Sequence, residues 1–314
     1  MRPEQASTPA SGRTGSRRWL RRQTNLPLFS ADQVRESPSR TIGMTEEQET
    51  RMRLYVVTFL ADVAKNLGLH REALATATTL LQRFYMVFPF NNDYDKYHVI
   101  SACICLAGKL EEERLHVQRV AEAVLYHRHR VKVDRRSPEF ASFHQAVLSM
   151  EVLLLQAIRF KLCASHPYDF LDEVARAVLT DRDDQFPVVV EYAARFVHDS
   201  FKTTACVVDT SENIAIACVH MALIWTNMGL ADDQRIEYAR DWFLQYKRDA
   251  DARAIESICE LVLHALEHPL HDKAAKRDPS RPQGAASLSP NRSDAAKPRA
   301  TSPSRRKPSP APSQ

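Results

Sequence analysis

Glycine and proline are scarce over most of the chain. Residues 46–268 hold three glycines (Gly68, Gly108, Gly229) and four of the 17 prolines, against nine prolines in 269–314 and four in 1–45. So few breakers over 223 residues predict long helices with short connections. No run of alternating β-branched residues is present, which argues against a sheet. No stretch approaches the ~18–20 unbroken apolar residues of a membrane span, so no membrane association is expected. The charges behind Met1 are followed by no apolar core, so a secretory signal is not expected either. The six cysteines (Cys103, Cys105, Cys163, Cys206, Cys218, Cys259) form no CxxC pair. They read as reduced core residues, and no structural metal is expected. A Gly-rich phosphate loop, a Gly-x-Ser-x-Gly elbow and a His-Glu-x-x-His pair are all missing. Nothing in the sequence assembles a nucleophile, a base and an oxyanion site, so no catalytic residue and no cofactor are assigned.

What remains is a 314-residue chain with 44% apolar residues, enough to bury a sizeable core. Its net charge of +4 is unevenly spread. Residues 1–45 carry eight Lys and Arg against three Asp and Glu; residues 269–314 carry ten against three. Residues 46–268 are therefore acidic, at −8. An acidic core is a poor surface for phosphate backbones, so no direct nucleic-acid contact by the core is expected. The Ser/Pro/Ala/Lys/Arg-rich stretch from Lys273 to Gln314 cannot bury enough apolar surface to offset its ordering entropy and reads as disordered. Within it, Ser289, Ser302 and Ser309 each precede proline and are candidate phosphorylation sites. Lys273, Lys276, Arg277 and the cluster Arg305-Arg306-Lys307 fit recognition by nuclear import receptors.

The core reads as helices in series. Thr45 to Gln48 fits a capping box, opening a helix to about Leu67 that Gly68 can stop. Others are expected over about 71–87, ended by Pro89, then 97–113 and 117–127. The third contains Val99 to Ala107, apolar almost all round, and should lie at the centre. The fifth opens with Ser137 as cap and Pro138 in the first turn. It runs with core positions Phe140, Phe143, Val147, Met150, Leu154, Ala157 and Ile158. A second group follows His166-Pro167, over about 168–179, 188–203, 212–228, 232–246 and 251–266. Ser211 is expected to cap its third helix, with Gly229 ending it. That third helix, with Ile214 to Val219, is again the most apolar. Two sets of five helices, each with a buried third, give an all-α double bundle. His127-Arg128-His129-Arg130 has the look of a metal tract, but alternating arginines oppose a cation, and it reads as a solvated basic loop.

Two charges stand out on apolar helices. Lys109 ends the buried third helix and Glu151 sits midway along the fifth, between Met150 and Leu153-Leu154-Leu155. A charge between apolar turns is costly unless paired or held at the surface. If the two helices pack side by side, the pair either presents a donor and an acceptor to an incoming backbone or forms a salt bridge that orients the helices.

Leu81-Gln82-Arg83-Phe84-Tyr85, Leu106-Ala107-Gly108-Lys109-Leu110-Glu111-Glu112 and Met150-Glu151-Val152-Leu153-Leu154-Leu155 together resemble the first cyclin box. His166-Pro167-Tyr168-Asp169-Phe170-Leu171 resembles the entry to the second. Upstream, Glu36-Ser37-Pro38-Ser39-Arg40 and Gly43-Met44 are similar to the lead-in of transcriptional cyclins of the K and T type. Phe196-Val197-His198-Asp199-Ser200 with Thr203-Thr204 is similar to the second box of the K type. The cyclin resemblance covers about 36–268 and implies a mostly disordered basic segment over 1–44, a first box over 45–163, a second over 164–268 and a disordered tail over 269–314. It also implies a nuclear, non-catalytic regulatory subunit that pairs with a cyclin-dependent kinase and steers it to the RNA polymerase II tail. Cyclin L and cyclin Q types are rivals within the family; a cyclin-fold general transcription factor binding DNA is a more distant one. Lys109 and Glu151 match the pair that bonds kinase backbone. Arg53, Gln82 and Arg83 match positions of internal structure, with one departure: Gln82 stands where cell-cycle cyclins have an Asp paired with the arginine at 53. Met52-Arg53-Leu54-Tyr55-Val56 echoes the cell-cycle docking motif only in part, so substrate docking of that kind is not expected.

Overall fold

A computed structural model describes residues 26–162, 165–180, 182–231 and 234–267. No strand occurs among them. The candidate phosphorylation sites Ser289, Ser302 and Ser309, the import clusters and the disorder expected of 1–25 and 269–314 lie outside the described residues.

Helices α3 (Glu46–Leu67), α4 (Arg71–Phe84), α5 (Lys96–Leu110), α6 (Val117–His129) and α7 (Pro138–Ala157) form the first bundle. The expected punctuation is present. The Thr45 hydroxyl and Gln48 amide close a capping box, and Gly68 stops α3 with a left-handed φ of 73°. Ser137 caps α7 through the Phe140 N–H, with Pro138 in its first turn. Helix α4 stops at Phe84, three residues early. Tyr85 to Phe88 turn back on its last carbonyls, since Pro89 can neither donate to a helix nor leave its neighbour helical. Helix α5 packs against α4, α6 and α7 and is buried at every position from Val99 to Gly108.

The second bundle begins with a 3₁₀ turn (Pro167–Asp169) and α8 (Leu171–Val178), followed by α9 (Phe186–Ser200), a short α10 (Ala205–Val208), α11 (Ser211–Met228), a single turn α12 (Phe243–Tyr246) and α13 (Ala252–Glu267). Helix α11 is central, packed on α8, α9 and α13. Its cap is Thr210, which accepts from Asn213 N, rather than Ser211; the Ser211 hydroxyl instead donates to the Ser165 carbonyl. The helix expected over 232–246 shrinks to α12. Asn227, the penultimate residue of α11, accepts from Ile236 N at 2.8 Å and donates to Ile236 O at 3.0 Å, satisfying both backbone groups of a segment that then gains little by coiling. There are two buried apolar clusters, one centred in each bundle, the second also taking in Ala75 of α4.

Residues 26–44, expected to belong to a mostly disordered segment, carry α1 (Ala31–Arg35) and α2 (Pro38–Thr41). Polar anchors hold them. Ser37 and Ser39 are fully buried; Ser37 Oγ donates to Glu49 at 2.7 Å and Ser39 Oγ accepts from Phe90 N at 2.9 Å. The chain also crosses both bundles here, with Phe29 N donating to Val207 O.

Candidate functional site

The core-facing stripe of α7 runs Phe140, Phe143, Val147, Glu151, Leu154, Ile158. Spacing places Glu151 in that stripe, four after Val147 and three before Leu154. Met150 and Ala157, assigned to the stripe on sequence, are half-buried at its margin. A carboxylate at such a position needs a counter-charge. Helix α5 supplies it. Beyond buried Gly108 the helix leaves the core, and Lys109 Nζ bonds Glu151 Oε1. Gly108 lets the next strand of chain close over this end: a Cβ there would lie 2.9 Å from Leu115 Cδ1. The pair sits at an edge, with the lysine side chain 59% exposed and the carboxylate side chain 11%. An ammonium carries three N–H donors, so donors remain to offer outward. Burial pushes the thiol of Cys105, one turn before Lys109, up to about 12, with Glu151 adding to the rise and Lys109 opposing it.

Exposed apolar side chains occur along α7 on either side of Glu151 and just past the helix end. Leu148 and Val152 lie one turn apart on α7 and both are exposed, Val152 by 56%. Past the helix end, Arg159 and Phe160 adopt left-handed φ of 52° and 56°. Each costs about 1–2 kcal/mol for an L-residue. Phe160 N donates to Leu155 O at 2.9 Å, which satisfies a terminal carbonyl. The strained turn leaves the Phe160 ring 64% exposed. Sequence reasoning passed over Leu148, Val152 and Phe160. The available signal was an apolar surplus on α7 larger than one packed face consumes.

The internal residues form a second, buried constellation. Arg53 donates from Nε and Nη2 to Glu49 Oε1 at 3.0 and 2.7 Å, from Nη1 to Gln82 Oε1 at 2.7 Å and from Nη2 to Tyr85 O at 3.1 Å. Glu49, which the sequence did not single out, is the counter-charge; its other oxygen also accepts from Arg40 Nε at 2.9 Å. Gln82 therefore keeps the contact to Arg53 as a neutral acceptor. Its Nε2 donates to the carbonyls of Phe201 and Thr203, in the second bundle, at 3.3 and 3.2 Å. Arg83 is separate. Its Nη2 donates to Pro27 O at 2.8 Å and its guanidinium lies 5.3 Å from the Phe29 ring centroid; burial lowers its pKa. Higher on α4, Thr76 Oγ1 donates to Glu111 at 2.7 Å and lies 2.8 Å from His166 Nε2. Helix α4 thus ties the bundles at both ends and fixes the exposed face relative to the second bundle.

Among the described residues no group of His, Cys, Asp or Glu has metal-site geometry, and no helix is long and apolar enough to cross a membrane. Cys103, Cys105, Cys206, Cys218 and Cys259 are free thiols; Cys163 lies outside the described residues.

Residues 28–163 match the family described as cyclin, N-terminal domain. Cyclin-K of Homo sapiens is 29% identical over 228 residues, 72% of this chain and 38% of that protein. Cyclin pch1 of Schizosaccharomyces pombe is 30% identical over 207 residues, 64% of this chain and 58% of that protein. The chain therefore spans between 38% and 58% of the length of these two relatives. A chain in the crystal structure of the yeast RNA Pol II CTD kinase CTDK-1 complex superposes with a TM-score of 0.62 at 17% identity, covering 80% of this chain and 75% of that one. At that identity the likeness is one of fold.

Proposed function

As this chain belongs to the cyclin family, we propose that it is the non-catalytic regulatory subunit of a cyclin-dependent kinase, a nuclear one acting on Ser-Pro repeats of the RNA polymerase II tail. The observation that carries the reading is the Lys109–Glu151 pair, joined at an exposed edge, with Leu148, Val152 and Phe160 exposed on and just past the same helix. Such a face offers apolar area for a partner helix and two charges for its backbone. A first box over 45–163 and a second over 164–268 belong to the same reading, supported by the two separate apolar clusters.

The mechanism follows from what a kinase needs. Phosphoryl transfer requires the β3 lysine paired with the αC glutamate and the activation loop placed for substrate. A partner that grips the αC-in state better shifts that equilibrium. Going from 1:99 to 99:1 takes about 5.5 kcal/mol of differential affinity. A helix-sized apolar contact with two anchored charges is of the right scale. The polymerase-tail substrate rests on the resemblance to transcriptional cyclins of the K and T type, and the structural relative supports the fold alone. Cyclin L-like or Q-like pairing keeps the same face and changes the kinase. Promoter binding is disfavoured by the −8 charge of 46–268.

The test is capture of the kinase from nuclear extract by the tagged full-length chain and by K109A/E151A. The reading expects loss of the kinase with an unchanged thermal melt. Undiminished capture by the double variant would overturn it.

A further inference from the structure

The stretch Tyr126–Arg136, between the end of α6 and the start of α7, holds five Lys and Arg, two His and a single Asp. It carries +4, while the rest of 46–268 carries −12. A concentrated cationic spot on an acidic body is a local feature with a sign of its own.

Part of it is explained by the fold. Cations at the end of a helix offset its dipole, as Arg128 does in the last turn of α6. Arg128 also pairs with Asp95, His129 with Glu139 and Arg135 with Glu122. Arg130, Lys132 and Arg136 are different. All three are exposed, and none makes an ion pair or side-chain hydrogen bond among the described residues. Arg130 holds a left-handed φ of 60°, which ends α6, while Val133 further along the loop still packs against the core. Exposed Tyr126 and Val131 stand among these charges. The half-buried ring of His127 has its pKa lowered, first by burial and then by Arg130, so it adds no charge that would need a partner.

We infer that the loop Tyr126–Arg136 is a docking site for phosphorylated peptide segments, with Arg130, Lys132 and Arg136 receiving the phosphate and Tyr126 and Val131 the flanking side chains. A phosphoserine or phosphothreonine carries about −1.5 to −2 charge at neutral pH and three acceptor oxygens, which suits Arg130 and Arg136, with Lys132, which also acts on the Glu122 carboxylate, as a third cation. Guanidinium groups match phosphate oxygens in pairs. A nucleic-acid duplex fits less well. It presents a phosphate about every 1.7 Å and would have to lie across the acidic remainder of the surface.

Position adds to the argument. Ser137 starts α7 and Glu151 lies fourteen residues further on, about 21 Å along the helix axis. The loop therefore adjoins the start of α7 while Glu151 lies well along it, so the two places are separate on the same helix. That the docked peptide is an earlier product of the same kinase, retained for further phosphorylation, rests on the preceding reading; phosphate docking itself does not.

The experiment uses the full-length chain with a fluorescent Ser-Pro repeat peptide carrying two phosphoserines, its unphosphorylated twin, and single-stranded RNA and duplex DNA of matched charge. Fluorescence anisotropy should show the phosphopeptide binding about tenfold or more tighter than its twin. R130E/K132E/R136E should abolish that difference while retaining the thermal melt and kinase capture. Should that variant misfold, R130Q/K132Q/R136Q takes its place. Equal binding of the two peptides overturns the inference. So does binding that the variant leaves intact, which would locate it in the basic tails, or tighter loop-dependent binding of RNA or DNA. Failure of the wild-type chain to capture a kinase would sink the regulatory reading and leave the anisotropy result standing.

Discussion

Arg53 donates to Gln82 Oε1 at 2.7 Å, and the other end of the same amide donates to the Phe201 and Thr203 carbonyls of the second bundle. A neutral side chain with one acceptor and two donors can do both; a carboxylate can do only the first. Gln82→Asp keeps the acceptor for Arg53 but leaves two carbonyls unpaired and adds a negative charge beside Glu49. The expected cost is about 1–3 kcal/mol, read by urea unfolding. A variant as stable as the parent would show that the amide is no inter-bundle tie.

Glu49 is the charge that makes burial of Arg53 tolerable, and it also receives Ser37 and Arg40. Removing one partner of a buried pair costs about 3–5 kcal/mol because the other stays buried and uncompensated. Glu49→Ala should fall in that range in chemical denaturation. Ser37→Ala, losing the hydrogen bond to Glu49 and the weaker cap to Arg40 N, should cost about 1.5–3 kcal/mol.

Val152 and Phe160 are exposed, so the isolated chain has little use for them. Val152→Asp and Phe160→Ser should each shift stability by about 0.5 kcal/mol or less. In the proposed complex they meet the kinase, and each should weaken kinase affinity about tenfold or more by surface plasmon resonance.

His70 Nδ1 lies 2.5 Å from Glu113 Oε1, and that hydrogen bond, followed by the carboxylate charge, raises the histidine pKa above its usual 6.5. A raised folded-state pKa means that the tie contributes fully below about 6.5 and is lost as pH climbs through the raised value. NMR titration should place the His70 midpoint above 6.5, and Glu113→Gln should bring it down. A midpoint unmoved by that substitution would remove Glu113 as the cause.

Burial pushes the thiols of Cys105 and Cys206 up to about 12. Since the thiolate is the reacting form, neither should be alkylated by iodoacetamide at pH 8 until the chain unfolds. Fast labelling of either, located by mass spectrometry in the native protein, would contradict the packing described.

The sequence by itself determined where most helices start and stop, because caps and breakers act within one or two turns: Thr45 with Gln48, Gly68, and Ser137 with Pro138 behave as local chemistry dictates. It also determined which helices are central, because α5 and α11 are apolar on every side and must be surrounded. It brought Lys109 and Glu151 to notice as charges out of place. Only the tertiary structure decided that they meet, that one is exposed and the other mostly covered, and that Leu148, Val152 and Phe160 stay exposed. Tertiary structure likewise gave Arg53 its counter-charge in Glu49, ordered residues 26–44 through Ser37 and Ser39, and held Ile236 through Asn227. These are pairings between separate elements, or between a helix and a loop. Their free energy depends on which groups burial brings within hydrogen-bond reach, and residue type along the chain does not encode that distance.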